Sequence, residues 1–290
     1  MTFLYILISG IKIGSIYALV ALGYSMVYGI IKLVNFAHGD IIMIGAYFTW
    51  FLMSRYNVHP LTASIASVFF CATLGVLIEK IAYKPLRRSS RLSMLVTAIG
   101  VSLFLQNTVL LMFKADPRMF TNFFTGYVMI GDQQISSDTM ATIAISIVIM
   151  VALTLLVKYT SIGKAMRAVS EDNETAQLMG VNVSNTISFT FAIGSGLAAI
   201  GSLFYCCSYS QIQPTMGAML GLKAFVAAVL GGIGSIPGAM IGGLCIGIGE
   251  SLTKGYISSK LTDAVVFGIL IIVLLIKPSG IMGRSVGEKV

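Results

Sequence analysis

FVAAVLGGIGSIPGAMIGG, residues 225–243, is an apolar run that loses helical continuity at its centre. Gly231, Gly232, Gly234, Pro237 and Gly238 cannot sustain a regular helix cheaply. Inside a bilayer the backbone groups freed by such a break must line water or be covered by protein. The stretch therefore reads either as a turn at a membrane surface or as a discontinuous helix lining a pathway.

The surrounding chain supplies the membrane. Of 290 residues, 57% are hydrophobic and 10% charged, with a mean hydropathy of +0.92. A water-soluble domain of that composition would expose an enormous apolar surface, so this is an integral membrane protein. The net charge of +8 lies in separated clusters between apolar runs, which points to membrane orientation and away from a nucleic-acid partner. Met1-Thr2-Phe3 leads straight into apolar sequence and the first base is Lys12, so a cleaved signal is not expected and the first helix is kept. Cys71, Cys206, Cys207 and Cys245 all lie in apolar segments without the CxxC spacing of zinc or redox sites, and are expected as buried thiols with no metal.

Helical spans need roughly 20 apolar residues. Charge-poor stretches place them near 13–31, 41–54, 61–78, 92–113, 139–157, 187–208, 217–235, 236–253 and 262–276. The expected fold is a single all-α polytopic bundle over 1–290, with about eight or nine spans and discontinuous helices. Eleven bases fall on one side if the spans alternate: Lys80, Lys84, Arg87, Arg88 and Arg91; Lys158, Lys164 and Arg167; Lys277, Arg284 and Lys289. Five fall on the other, Arg55, Lys114, Arg118, Lys254 and Lys260. The richer side is assigned to the cytoplasm, with the C-terminus, Lys32 and VNFAHGD toward it and the N-terminus outside; a re-entrant 41–54 would reverse the sides of VNFAHGD and the N-terminus. Gly10/Gly14, Gly217/Gly221, Gly238/Gly242 and Gly243/Gly247 carry the small-residue spacing that lets helices approach closely.

The longest polar segment is 158–186, KYTSIGKAMRAVSEDNETAQLMGVNVSNT. Asp172 suits an N-cap, Glu174 the first turn and Gly180 a C-terminal stop, which predicts a short helix over about 173–179. Two turns are marginal alone in water, so Ala176, Leu178 and Met179 suggest docking, either on the bundle itself or on a cytoplasmic partner.

Glu174-Thr175-Ala176 followed by Gly180 resembles the EAA-xxx-G signature of ABC-importer permeases, with Thr in place of the central Ala. GYSMVYGIIKLVNFAHGDIIMIGAY (23–47), EKIAYKPLR (79–87), TAIGVSLFLQN (97–107) and the 225–243 stretch resemble the branched-chain amino-acid ABC-transporter permease family, in its LIV-type H-subunit branch. The similarity runs from about residue 10 to the tail IMGRSVGEKV. The resemblance implies a permease subunit in the bacterial inner membrane that pairs with a second related permease and recruits two cytoplasmic ATPases through 158–186. A periplasmic binding protein would deliver leucine, isoleucine or valine. Permeases for urea and short amides share the family. The chain itself has no GxxxxGK[ST] loop, because Gly163-Lys164 is followed by Ala165, so ATP hydrolysis is expected on another polypeptide and no cofactor on this one.

Ionisable groups in lipid need a reason. Glu79, Lys12 and Lys32 lie near helix ends and are expected to snorkel; Glu250 and Asp263 are expected to form ion pairs at the outer face. Asn35, His38, Lys223 and Gln106 or Asn107 are candidate pathway contacts, since a zwitterion needs both donors and acceptors held weakly. In VNFAHGD, residues 34–40, Gly39-Asp40 reads as a turn and N-cap launching a helix from Ile41; Asn35 and His38 are caps if they lie at the surface and path residues if they lie at mid-membrane. A membrane enzyme is disfavoured because His38 and His59 lie apart without HExxH or paired acids. A self-contained secondary transporter would leave the short helix without a purpose.

Overall fold

The computed structural model describes residues 2–87, 89–124, 126–130 and 133–283, so that Arg88, Arg284 and Lys289 lie outside the described residues. Eleven helices carry the described chain: α1 (Thr2–Ile31), α2 (His38–Tyr56), α3 (Pro60–Ile78), α4 (Arg91–Phe113), α5 (Ser137–Tyr159), α6 (Ser161–Glu171), α7 (Asn173–Leu178), α8 (Val183–Tyr209), α9 (Met216–Gly231), α10 (Ile236–Tyr256) and α11 (Thr262–Ile276). A π-helical turn, Glu79–Tyr83, and a short 3-10 turn, Lys84–Leu86, prolong α3. Seven segments are long and apolar enough to cross a membrane: Phe3–Ile31, Pro60–Leu86, Leu92–Phe113, Ser137–Tyr159, Val183–Tyr209, Ile236–Tyr256 and Ser259–Ile276. The 16-residue α9 is shorter, and α2, which carries His38 and Asp40 in its first turn, is the ninth helix of the bundle.

Helix α1 forms the axis. It packs against α5, α8, α9 and α10, and residues 16–22 are all buried. Glycine makes this possible at the α1–α10 crossing: a Cβ on Gly14 would lie 2.8 Å from Leu244 Cα, and one on Gly247 would lie 2.1 Å from Gly14 N. Close backbone approach supplies dispersion where lipid removes the hydrophobic drive between helices. Every glycine pair expected from spacing is used. Gly10/Gly14 and Gly243/Gly247 join α1 to α10, Gly238/Gly242 meet α9, and Gly217/Gly221 meet Gly39 of α2.

Two short antiparallel pairs sit at one end of the bundle. Strand β1 (Arg118–Met119) pairs with β4 (Gln211–Ile212), and β2 (Tyr127–Ile130) forms a hairpin with β3 (Gln133–Ser136). At that end Lys12 is paired with Asp138, and the Ser251 hydroxyl donates to Ile6 O at 2.7 Å. The opposite, basic end gathers the end of α1, the turn after α3, α6, α7, the α9–α10 turn and the tail. There the Ser188 hydroxyl donates to Glu79 at 2.5 Å, and Ile281 N–H donates to Leu230 O at 2.9 Å. Lys80, Lys84, Arg87, Lys158, Lys164, Arg167 and Lys277 thus share one end, with Lys32 beside them.

Three local expectations are corrected. Glu79 does not snorkel: it is fully buried, paired with Arg87 and bound by Ser188, because these groups give its charge a partner away from water. Lys12 likewise ends on Asp138 rather than in a free interface. Cys71, Cys206 and Cys207 are buried, whereas Cys245 is exposed, since it lies off the α1- and α9-facing glycine faces of α10.

Candidate functional site

The break between α1 and α2 occupies residues 32–37, and Lys32, at φ 57°, ends α1 in the left-handed region. The chain then turns back into the bundle. A Cβ on Gly23 of α1 would lie 2.6 Å from His38 Nε2 and 3.0 Å from Gly194 O of α8. Gly23 stands eight residues before Ile31 and Gly194 eleven after Val183, which is about 12 Å and about 16 Å of helix at 1.5 Å per residue. The start of α2 therefore lies inside the bundle, not at its surface.

That placement revises the reading of VNFAHGD. Helix α2 begins at His38, with Ala37 at the N-cap and no side-chain cap bond, so Asp40 is a first-turn residue and not the cap. Its carboxylate accepts from Gln106 Nε2 of α4 at 2.8 Å, near the positive end of the helix dipole. Gly39 is inside α2 and outside the break; its role is proximity, since a Cβ there would lie 2.6 Å from Gly217 O. Asn35 accepts from the Tyr83 hydroxyl at 2.7 Å, and the His38 ring lies 4.5 Å, edge-on, from Tyr24. Tyr24 in turn meets Phe225 of α9 at 6.0 Å. Asn35, His38 and Asp40 are all buried.

The other proposed pathway residues separate. Asn107 Nδ2 bonds Leu103 O of its own helix at 2.7 Å on an exposed face, while neighbouring Gln106 reaches α2. Lys223 lies in a second cluster, 3.2 Å from Glu250 and 2.8 Å from Asp263. Glu250 also accepts from Tyr17 at 2.6 Å and from Lys254 at 2.6 Å. These groups border a cavity of about 170 Å³ at the end away from the basic loops. The ion pairing expected of Glu250 and Asp263 is present, and Lys223 from α9 joins them.

The break in 225–243 is a turn at the basic end. Gly231 closes α9, Gly232 (φ 105°) and Gly234 (φ 89°) take conformations that suit glycine, and Pro237 sits in the first turn of α10. Gly238 meets Gly231, and Gly234 lies beside Gly29 near the end of α1.

The polar loop contains more structure than its sequence suggested. Helix α6 was missed, although Ile162, Ala165, Met166 and Val169 recur at helical spacing and Thr160 caps it through Gly163 N–H. Helix α7 follows as expected. Asp172 accepts from Glu174 N–H at 3.0 Å and from the Thr175 hydroxyl at 2.6 Å; Gly180, at φ 83°, ends the turn. Ala176 is buried, whereas Leu178 and Met179 are 87% and 80% exposed. Reasoning from sequence also missed Tyr17, Tyr24 and Tyr83, since a tyrosine in an apolar run looks like core, and Asp138, whose partner Lys12 is 126 residues away.

A polytopic helical bundle with a buried polar helix start, a charged cavity at one end and a capped surface helix at the other defines a membrane permease subunit. Residues 6–275 match the family described as branched-chain amino acid transport system / permease component, and the chain belongs to it. The high-affinity branched-chain amino acid transport system permease protein LivH of Escherichia coli is 41% identical, over 99% of this chain and 98% of that one. BraD of Pseudomonas aeruginosa, named for the same system, is 41% identical over 98% and 97%. In fold the chain is similar to PsaBC from Streptococcus pneumoniae, solved in complex with Fab, with TM-score 0.51 and 16% identity over 96% of this chain and 93% of that one.

Proposed function

We propose that this chain is a membrane-spanning subunit of an ATP-driven importer of branched-chain amino acids. It works with a second related permease, two cytoplasmic ATPases and a periplasmic solute-binding protein. The bacterial cytoplasmic membrane holds it with the basic end and C-terminus inside. The carrying observation is α7: a preformed, capped helix at the basic end, anchored by Ala176, that offers Leu178 and Met179 to water. Two large exposed apolar side chains on a two-turn helix cost solvation unless a partner covers them.

Asp172, Glu174, Thr175, Ala176 and Gly180 are the coupling residues in this reading. The helix is joined mechanically to the bundle. Val181 N–H bonds Ala176 O at 3.0 Å, and Arg167 of α6 binds the carbonyl of Val157 at the end of α5. A displacement of α7 by an ATPase subunit would reach α5 and α8 through these links. Asn35, His38 and Gln106 around the start of α2, with Lys223 nearer the other end, are the proposed polar contacts of the path; of the two adjacent amides, Gln106 takes the role.

The test is uptake of radiolabelled leucine into proteoliposomes holding either the purified chain or the full complex. Uptake that depends on ATP and on the whole complex is the expected result. Accumulation by the chain alone would make it a secondary transporter and overturn the proposal. Competition by valine but not urea is expected; the reverse would move the solute to urea or a short amide.

A further inference from the structure

We propose that the cavity between α1, α8, α9, α10 and α11 is a receiving site for the zwitterionic head of an amino acid. The site deepens the importer reading and rests on it. Its walls carry both signs of charge: Lys223 from α9, Glu250 and Lys254 from α10, and Asp263 from α11. The four sum to zero.

Their partners are unequally satisfied. Glu250 is buried and takes hydrogen bonds from Tyr17, Lys223 and Lys254, so its charge is well compensated. Asp263 and Lys254, on opposite sides of the loop that joins α10 to α11, have side chains 51% and 34% exposed. Asp263 is paired with Lys223, and Lys254 is paired with Glu250. An incoming ammonium can be met by Asp263 and an incoming carboxylate by Lys254 without either wall residue leaving its present partner.

The choice of a zwitterion follows from charge balance. Placing a single-charged ion in a neutral, partly buried cluster leaves that ion's charge uncompensated once it has left water. A zwitterion adds no net charge and offers one group to each sign. At about 170 Å³ the cavity is well above the roughly 10–15 Å³ that a single water needs, and it has room for a small polar head. Met219, Leu220 and Tyr205 supply an apolar wall for an aliphatic side chain.

The location suits entry. The cavity opens by the α10–α11 loop, at the end away from the basic loops. Along α9, Lys223 is followed by Phe225, which meets Tyr24, and Tyr24 meets His38 at the start of α2. Exposed neighbours keep binding shallow, as a permeation route requires.

Occupancy can be read directly in the complete complex. Ser259 lines the cavity and is exposed, so Ser259→Cys in a Cys245→Ala background places a reporter thiol there without touching the four charges. Its rate of modification by a membrane-impermeant methanethiosulfonate is measured with millimolar leucine, with isocaproate, which lacks the ammonium, and with isoamylamine, which lacks the carboxylate. Leucine is expected to slow labelling at least threefold and the two single-charged analogues to have little effect. Adding Asp263→Asn or Lys254→Met should abolish the protection, and Asp263→Glu should restore part of it. Leucine uptake by the same preparation is measured in parallel. ATP-dependent uptake with no protection of the reporter thiol overturns this site alone, as does equal protection by the single-charged analogues. Absence of ATP-dependent leucine uptake in the unlabelled complex overturns the parent reading and this site with it.

Discussion

The Gln106 amide of α4 donates to the Asp40 carboxylate in the first turn of α2 at 2.8 Å, and it ties a peripheral helix to a helix start buried in the bundle. Most of α4 faces outward, so this bond is one of few polar ties holding it to the centre. Gln106→Leu removes one donor from a buried carboxylate that Ser102 also serves, and is expected to destabilise by about 1 kcal/mol. A thermal-unfolding series in detergent reads this as a lower midpoint, and Asp40→Asn in combination should cost less than the two single changes summed. An unchanged midpoint for Gln106→Leu would show that the bond contributes nothing.

Gly247 and Gly268 give a paired test of helix proximity. A Cβ on Gly247 would meet Gly14 N at 2.1 Å, whereas one on Gly268 meets nothing within 4 Å. Gly247→Ala is expected to lose about 1–3 kcal/mol through overpacking against α1. Gly268→Ala should be neutral or gain up to about 1 kcal/mol from helix propensity. Recovery of monodisperse protein after graded heating compares them, and equal behaviour would contradict the packing described for α1 and α10.

Buried charge at the basic end has a distinctive mutational signature. Arg87→Ala leaves the Glu79 carboxylate buried without its ion-pair partner and is expected to cost about 3–5 kcal/mol. The double change Arg87→Met with Glu79→Gln removes both charges and should be milder than Arg87→Ala alone. Folded yield and unfolding midpoint measure both variants; a double variant worse than the single would mean that the pair is not what the site requires.

For α7, exposure and burial separate two effects. Leu178→Ser with Met179→Ser alters only exposed side chains, so the unfolding midpoint of the isolated permease should stay within about 0.5 kcal/mol of the parent. Association with the ATPase subunit, measured by titration, should weaken at least tenfold. Ala176→Leu fills a buried position and should instead loosen the loop, seen as faster proteolysis at 172–181. Undiminished ATPase binding by the double serine variant would remove α7 from the contact.

Most spans were legible because length and apolarity are properties of contiguous residues, but the first, expected at 13–31, begins at Thr2, since α1 carries Lys12 inside it on the Asp138 carboxylate. The stretches 61–78, 92–113 and 262–276 fall within a residue of α3, α4 and α11. Asp172 and Gly180 announced α7 because capping acts over a few residues. The amphipathic α6 escaped notice, as its apolar positions were masked by Lys164, Arg167 and Glu171 in a segment read as loop. Asp40 was misread for a related reason: Asp is a good cap by type, but only the tertiary packing of Gly39 against Gly217 sets where the first turn begins.

Sequence alone determined that this is a multi-span helical bundle with one basic face and a short surface helix, since hydropathy and charge act locally against a uniform bilayer. Tertiary structure decided how deep α2 starts, that 232–235 is a turn at the basic end, and that Tyr17, Lys223, Glu250 and Asp263 meet. Tyr17 and Glu250 are 233 residues apart in sequence, and their pairing depends on the glycine faces of α1 and α10 meeting each other, a choice of partner that the local spacing does not encode.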